Sequence, residues 1–304
     1  MFEGKREKIL NLIEIKEKPL KEFHQRYVGP GLLKKIKRLL KYREKYLKYS
    51  LSRLISASVK IKTFWGKEIL PSSEIILYLL GTLSSNQEIK LNKFLIKNLP
   101  ENSIFYDIGA NIGFYSLLVD DIIVQKEIHA FEPVPSIFKH LKDNFSNTQK
   151  IFLNQIALFN KEGEIDFYDG LELYSGASTV DISGINPAIV SKFKKIKIKA
   201  TTLDRYCFSH SLPTFLKIDV EGAEGEVIEG GMETLEKINP VIAMEVWRKP
   251  FNNKSHLKAI EILYRLGYKS YKINQDGELI FVEKLIPEKE ISEEDNFDNF
   301  VFKK

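Results

Sequence analysis

The sequence contains a single cysteine, Cys207, so no internal disulfide framework is available and a reducing compartment is expected. Long apolar runs are missing. The longest, Ile75 to Leu83, is interrupted by Gly81 and Thr82 and falls far short of the roughly 20 residues that span a bilayer. The opening Met-Phe-Glu-Gly-Lys-Arg-Glu-Lys leads into no apolar segment of signal type. A soluble, cytoplasmic chain is the expectation. The Gly-x-Gly-x-x-Gly of dinucleotide binders is absent too. No internal repeat is visible.

The 304 residues, 43% hydrophobic and 29% charged, are enough for one large domain plus an extension with a sizeable core. Charge is unevenly shared. Residues 1–60 carry 17 Lys/Arg against 6 Asp/Glu, and the remainder carries 29 against 35. A basic arm on a mildly acidic body points to an anionic partner such as membrane lipid, glycan or nucleic acid, or to an arm neutralised by the body itself. From Leu32 to Ile55 apolar positions recur at three or four among lysines and arginines, which predicts a basic amphipathic helix. It would dock on a neighbouring domain, or lie on an anionic membrane surface or partner. A basic helical extension over 1–57 and a second domain over 58–304 follow. A peripheral place at the inner face of the membrane is open to the arm.

Beyond residue 58 a hairpin is expected to residue 70, then helices over 74–99 from a start at Pro71–Glu74, with a break at 81–86. Strands and helices then alternate. Strands are expected at 104–106 up to Asp107, 127–131, 151–158, 214–220 and 241–246, and helices at 136–144 (capped by Ser136), 224–235 and 256–266. Glu164–Tyr168 is expected to pair with the strand before it. A strand at 195–199, a short helix from Thr202, a hairpin over 268–282, a solvated acidic loop from Glu288 to Asp298 and a last strand at 300–302 complete the pass. The pattern predicts an α/β fold: a doubly wound, mostly parallel, Rossmann-like sheet with an antiparallel C-terminal hairpin.

In such a sheet, ligands collect beyond the carboxyl ends of the strands. The stretch Ile104-Phe-Tyr-Asp-Ile-Gly-Ala-Asn-Ile-Gly-Phe-Tyr-Ser116 is a strand that ends in two glycines and opens a helix, with the glycines expected to admit a ligand to the backbone. Its acid, Asp107, suits a positively charged amino or sulfonium group better than a pyrophosphate. Acids also end three other strands: Glu132, Asp219 with Glu221, and Glu245. Four such ends would be costly unless they face a ligand or a metal. Glu132, 19 residues beyond Gly113, stands where a carboxylate accepts ribose hydroxyls, or where it caps the following helix. Asp219 and Glu245 are candidate bases, and Glu224 is more simply a helix-start residue. His129 fits a structural role, while His210 and His256 are alternative bases. Glu221, Trp247, Arg248, His256 and the loop 172–187 are candidates to line an acceptor pocket, or are packing and surface. For a metal only oxygen ligands are on offer and no spacing rule identifies a site; a divalent ion is possible but not favoured.

These residues resemble the FkbM-type family of S-adenosylmethionine-dependent methyltransferases. The matching stretches are Tyr106 to Ser116, Ala130-Phe-Glu-Pro-Val-Pro135, Ala157-Leu158 before Gly163, Thr202-Leu-Asp204, Leu216-Lys-Ile-Asp-Val-Glu-Gly-Ala-Glu224, Pro240 to Glu245 and Asn299-Phe-Val-Phe302. The resemblance spans about residues 60–304. It implies a class I methyltransferase fold, S-adenosylmethionine as donor, and O-methylation of a sugar, glycan or natural-product hydroxyl. Asp107, Gly109, Asn111 and Gly113 would then hold the methionine end and Glu132 the ribose, with the segment from Asn154 through Ala157 and Leu158 beside the adenine.

Two other function classes are open. One is an RNA methyltransferase gripping its substrate with the basic arm. Asp219 is not followed by the Pro-Pro-aromatic pattern of amino-group methylation, Cys207 has no partner for cysteine-based cytosine chemistry, and no RNA-binding module is recognisable. The other is a non-catalytic membrane or partner adaptor, against which the intact Asp107, Gly109, Gly113 and Glu132 speak.

Overall fold

The computed structural model describes residues 3–14, 60–70, 86–124, 127–145, 150–170, 179–180, 190–191, 193–249 and 252–304. The amphipathic stretch 32–55, the helix start at 71–74, the break at 81–86 and most of the loop 172–187 lie outside them. Residues 3–14 form α1, followed by the hairpin β1 (Ile61–Lys62) and β2 (Glu68–Ile69). The next elements are α2 (Asn86–Asn98), β3 (Ile104–Ile108), α3 (Phe114–Ile122), β4 (Glu127–Phe131), α4 (Pro135–Asn144), β5 (Ile151–Asn154), β6 (Ala157–Leu158), β7 (Gly163–Asp169) and β8 (Lys194–Thr201). Then come α5 (Leu203–Cys207), β9 (Phe215–Ile218), α6 (Glu224–Glu229), α7 (Met232–Ile238), β10 (Val241–Trp247) and α8 (Lys254–Arg265). The chain ends with β11 (Lys269–Ile273), β12 (Leu279–Val282), α9 (Pro287–Glu290) and β13 (Phe297–Lys303).

Eight strands form one sheet in the order β12-β11-β13-β10-β9-β3-β4-β5. The five from β10 to β5 run parallel, while β13 inserts antiparallel between β10 and β11. Alternate residues of a strand face opposite sides, and here both sides are apolar. Tyr106, Phe131, Leu216, Phe300 and Phe302 pack into a core with Ile260 and Leu263 of α8. Their neighbours Phe105, Ile128, Phe215 and Val301 join Leu95 of α2 and Leu118 of α3 on the other side. Helices therefore cover both faces, as a parallel sheet requires. Of the N-terminal extension, α1 packs Ile9 and Ile13 into this second core. Lys5 pairs with Asp121 at 2.7 Å, and Arg6 donates to the carbonyls of Leu99 and Ile122.

Several local expectations are corrected. Residues 151–158 are not one strand. They leave the main sheet after β5 and enter a three-stranded sheet, β6-β8-β7. In it β7 pairs antiparallel with β8, not with the strand before it; Ile165, Phe167 and Ile198 gain a core against Ala110, Leu117 and Phe138 that a local hairpin would not supply. The helix expected over 224–235 breaks into α6 and α7 at Gly230-Gly231, two poor helix formers. Ser136 does not cap α4; Val134 is the cap and Pro135 fills the first turn. Of the solvated acidic loop expected from Glu288 to Asp298, Glu288–Glu290 lie in α9, and Asp298 lies in β13, where it is buried and pairs with Lys90 at 2.6 Å.

Candidate active site

Because β3, β4, β9 and β10 are parallel, their carboxyl ends lie along one edge. From β3 the chain builds outward through β4 to β5 and later returns on the other side at β9 and β10. The reversal falls between β3 and β9, where an open sheet forms its ligand crevice. Asp107 lies in β3 and Glu245 in β10, while Glu132 and Asp219 immediately follow β4 and β9.

The glycine turn is built from inside. Asp107 is fully buried, and its Oδ2 accepts from the backbone N–H (3.1 Å) and hydroxyl (2.7 Å) of Ser116, pinning α3 to the strand end. Gly109 has φ +80°, and a Cβ there would lie 1.8 Å from the carbonyl oxygen of Asp219. Gly113 has φ +89°, and its Cβ would lie 2.4 Å from the Phe145 ring. On the side where a Cβ would stand the protein's own atoms occupy the space, so both positions require glycine. Between them Asn111, at φ +52°, donates its backbone N–H to Glu132 Oε2 at 3.1 Å. Glu132 Oε1 accepts from the N–H of Val134 at 2.9 Å. One carboxylate thus joins the glycine turn to the start of α4, and each of its oxygens keeps a further lone pair. Burial pushes its pKa up to about 7, against the two N–H bonds that lower it. Asn154 is brought beside it, accepting the Glu132 N–H at 3.0 Å. Ala157 is half-buried, and Leu158 sits in the core.

Lys217, 3% exposed, stands behind the acids. Its Nζ lies 3.2 Å from Asp219, 3.5 Å from Asp107 and 3.2 Å from the carbonyl of Gly109, and 5.0 Å from the centre of the Tyr115 ring. Burial disfavours the ammonium, but Asp219 and Asp107 outweigh it and hold the pKa above the usual range. Tyr115 in turn donates to Glu88 at the start of α2, whose pKa burial raises, with Asp219 adding to the shift. Neither Lys217, Tyr115 nor Glu88 was expected in the site. A lysine in an otherwise apolar strand was a signal for the first; Glu88 had none, since it arrives from a distant helix.

Asp219, Glu221 and Glu245 each bring a carboxylate oxygen within 4.8 Å of the other two. Such a spacing is open to a divalent cation, and it also arises without one when a buried lysine lies alongside. Glu245 accepts from Trp247 Nε1 at 2.5 Å; burial and then Asp219 raise its pKa well above the carboxylate range. Trp247 is thus placed with the acids. His256 is not. It is 0% exposed behind Trp247 (ring centroids 4.8 Å apart), and burial lowers its pKa to about 3, so it neither reaches an acceptor nor becomes charged near neutrality. His210 is excluded by place: it stacks on Tyr206 in the loop before β9, at the opposite edge of the sheet. His129 bonds to Tyr206 and Glu127 inside the fold.

A doubly wound α/β fold with one antiparallel strand set into a parallel sheet, and an acid-lined crevice at its reversal point, defines the class I methyltransferase fold. Residues 107–270 match the methyltransferase FkbM domain, and the chain belongs to that family. It is similar to the hexuronic acid methyltransferase AglP of Haloferax volcanii, 26% identical over 153 residues, which cover 49% of this chain and 59% of AglP. It is also similar to the 2-O-methyltransferase NoeI of Sinorhizobium fredii, 25% identical over 52% of this chain and 69% of NoeI. The match to AglP therefore spans less than two thirds of that protein. Among solved structures, the crystal structure of methyltransferase FkbM from Methylobacillus flagellatus KT superposes with a TM-score of 0.45 at 14% identity, over 77% of this chain and 54% of that one. Among the described residues no helix is long and apolar enough to cross a membrane.

Proposed function

We propose that the protein is an S-adenosylmethionine-dependent O-methyltransferase acting on a hydroxyl of a sugar or glycan. One observation carries this: acids stand at the ends of four adjacent strands along the ligand crevice, and the buried Lys217 pairs with two of them, Asp107 and Asp219. The excess negative charge suits a ligand bearing ammonium and sulfonium groups, and the spare lone pairs of Glu132 suit ribose hydroxyls. Asp107 contributes charge and shape to the turn rather than direct contact, since no part of it is exposed. The sugar-modifying names of AglP and NoeI support the acceptor class.

When bound, S-adenosylmethionine supplies a methyl group on a positively charged sulfur, open to in-line displacement. The protein's part is to align the acceptor oxygen and to receive its proton. Asp219, with its side chain 27% exposed, is the acid best placed to take that proton, and Glu245 stands beside it. Glu132 and the glycine turn would hold the donor, and the proton leaving the acceptor oxygen would pass to the carboxylate of Asp219.

Calorimetry with S-adenosylmethionine tests the donor; absence of binding at millimolar ligand would sink the proposal. Glu132→Ala removes a charged hydrogen-bonding partner worth about 1.5–3 kcal/mol, so affinity should fall roughly 10- to 100-fold. Asp219→Ala should instead lower turnover by about 100-fold or more while donor affinity changes little. Unchanged turnover would remove Asp219 from its role. Mass spectrometry for the gain of one methyl group across a glycan panel identifies the acceptor.

A further inference from the structure

The turn that presents Asp219 and Glu221 is strained. Glu221 has φ +57° and Gly222 φ +98°, two successive residues in the left-handed region, where a side chain costs about 1–2 kcal/mol. Such a turn persists only when its surroundings hold it. Glu224 does so from below. Its Oε1 accepts from the backbone N–H groups of Val220 (3.1 Å) and Gly222 (3.4 Å), while Thr179 Oγ1 donates to the Glu221 carbonyl at 2.6 Å.

The other oxygen of Glu224 points the opposite way, to His256 Nε2 at 3.0 Å, in a contact too poorly aligned to be a hydrogen bond. Both residues are 0% exposed. His256 packs on Trp247, and Trp247 donates to Glu245. Apolar residues of similar volume would fill this core without the desolvation cost. A carboxylate and an imidazole in contact at 3.0 Å fill it instead.

We infer that Glu224 is a positioning residue: it clamps the turn carrying Asp219 and Glu221 and, through His256 and Trp247, fixes the carboxylate of Glu245 against that turn. Its catalytic consequence rests on the methyl-transfer function proposed above, but its geometry does not.

The test therefore begins without donor or acceptor. The chain has two tryptophans, so Trp65→Phe leaves Trp247 as the sole emitter. In that background Glu224→Ala should shift the emission to longer wavelength as Trp247 loses its support. Glu224→Gln, whose amide oxygen still accepts from Val220 and Gly222 and whose NH2 reaches His256, should restore the parent spectrum. Ile228→Val, a trimming of a fully buried residue in the same helix, should lower the melting temperature without moving the spectrum. If Glu224→Ala does not fold, His256→Leu breaks the next link and should give the same shift. A parent-like spectrum in folded Glu224→Ala, or in His256→Leu when the first does not fold, overturns the inference, as does a shift in the Ile228→Val control. In the otherwise native chain, Glu224→Ala should lower turnover at least tenfold with donor affinity retained, and adding Glu245→Gln should cost little more because the two act as one unit. Full additivity would overturn the link to Glu245. Loss of all activity in the parent, with the spectral pattern intact, would count against the function and not against the clamp.

Discussion

Replacing Lys217 by methionine is expected to lower the unfolding free energy by about 3–5 kcal/mol, a large share of the roughly 5–15 kcal/mol that holds a domain together. Among the described residues, the ammonium is a cation within reach of Asp107, Asp219, Glu88 and Glu132. Asp107 cannot turn to water, since it is fully buried with Oδ2 committed to Ser116. Without Lys217 its Oδ1, which already accepts no hydrogen bond, would be left as an uncompensated buried charge. Methionine fills a similar volume, so the loss measures charge rather than packing. Urea denaturation of the two proteins at pH 7 makes the comparison. A difference below about 1 kcal/mol, the size of an exposed ion pair, would show that the acids do not depend on Lys217.

Gly109→Ala should be almost as damaging, for a different reason. At φ +80° a side chain is strained, and the new Cβ would also fall 1.8 Å from the Asp219 carbonyl oxygen, so the two strand ends that flank the crevice would be pushed apart. Gly163, at φ +110° with no atom within 4 Å of a built Cβ, separates the two effects. Gly163→Ala meets only the conformational term, about 1–2 kcal/mol. Gly109→Ala meets that and the backbone collision, for a total of about 3 kcal/mol or more. Donor affinity, measured by calorimetry on whatever folds, should fall for Gly109→Ala and hold for Gly163→Ala. Equal stability losses would mean that β3 and β9 have room to separate.

Much of the site is local chemistry. Buried strands such as Ile104–Ile108 and Phe215–Ile218 announce themselves by continuous apolar composition. The acids Asp107, Glu132, Asp219 and Glu245 are legible because each closes such a run. The helix-covered, mostly parallel sheet follows from the alternation of strands and helices. Those features depend on neighbours in sequence, and short-range sterics and hydrophobic periodicity are enough to determine them.

What depended on distant neighbours was decided only in three dimensions. That β7 takes β8 as its partner, that residues 151–158 divide between two sheets, and that His256 is sealed behind Trp247 while His210 lies at the far edge, are all outcomes of long-range packing. Glu88 entering from α2 and the protein's own atoms filling the space beside Gly109 and Gly113 are of the same kind. A strand's composition states that it will be buried; it does not state against what. Charge works likewise: the four acids are written in the chain, but the pairing of Lys217 with Asp107 and Asp219, and the raised pKa values of Lys217 and Glu132, come from the low-dielectric crevice that only the folded sheet creates.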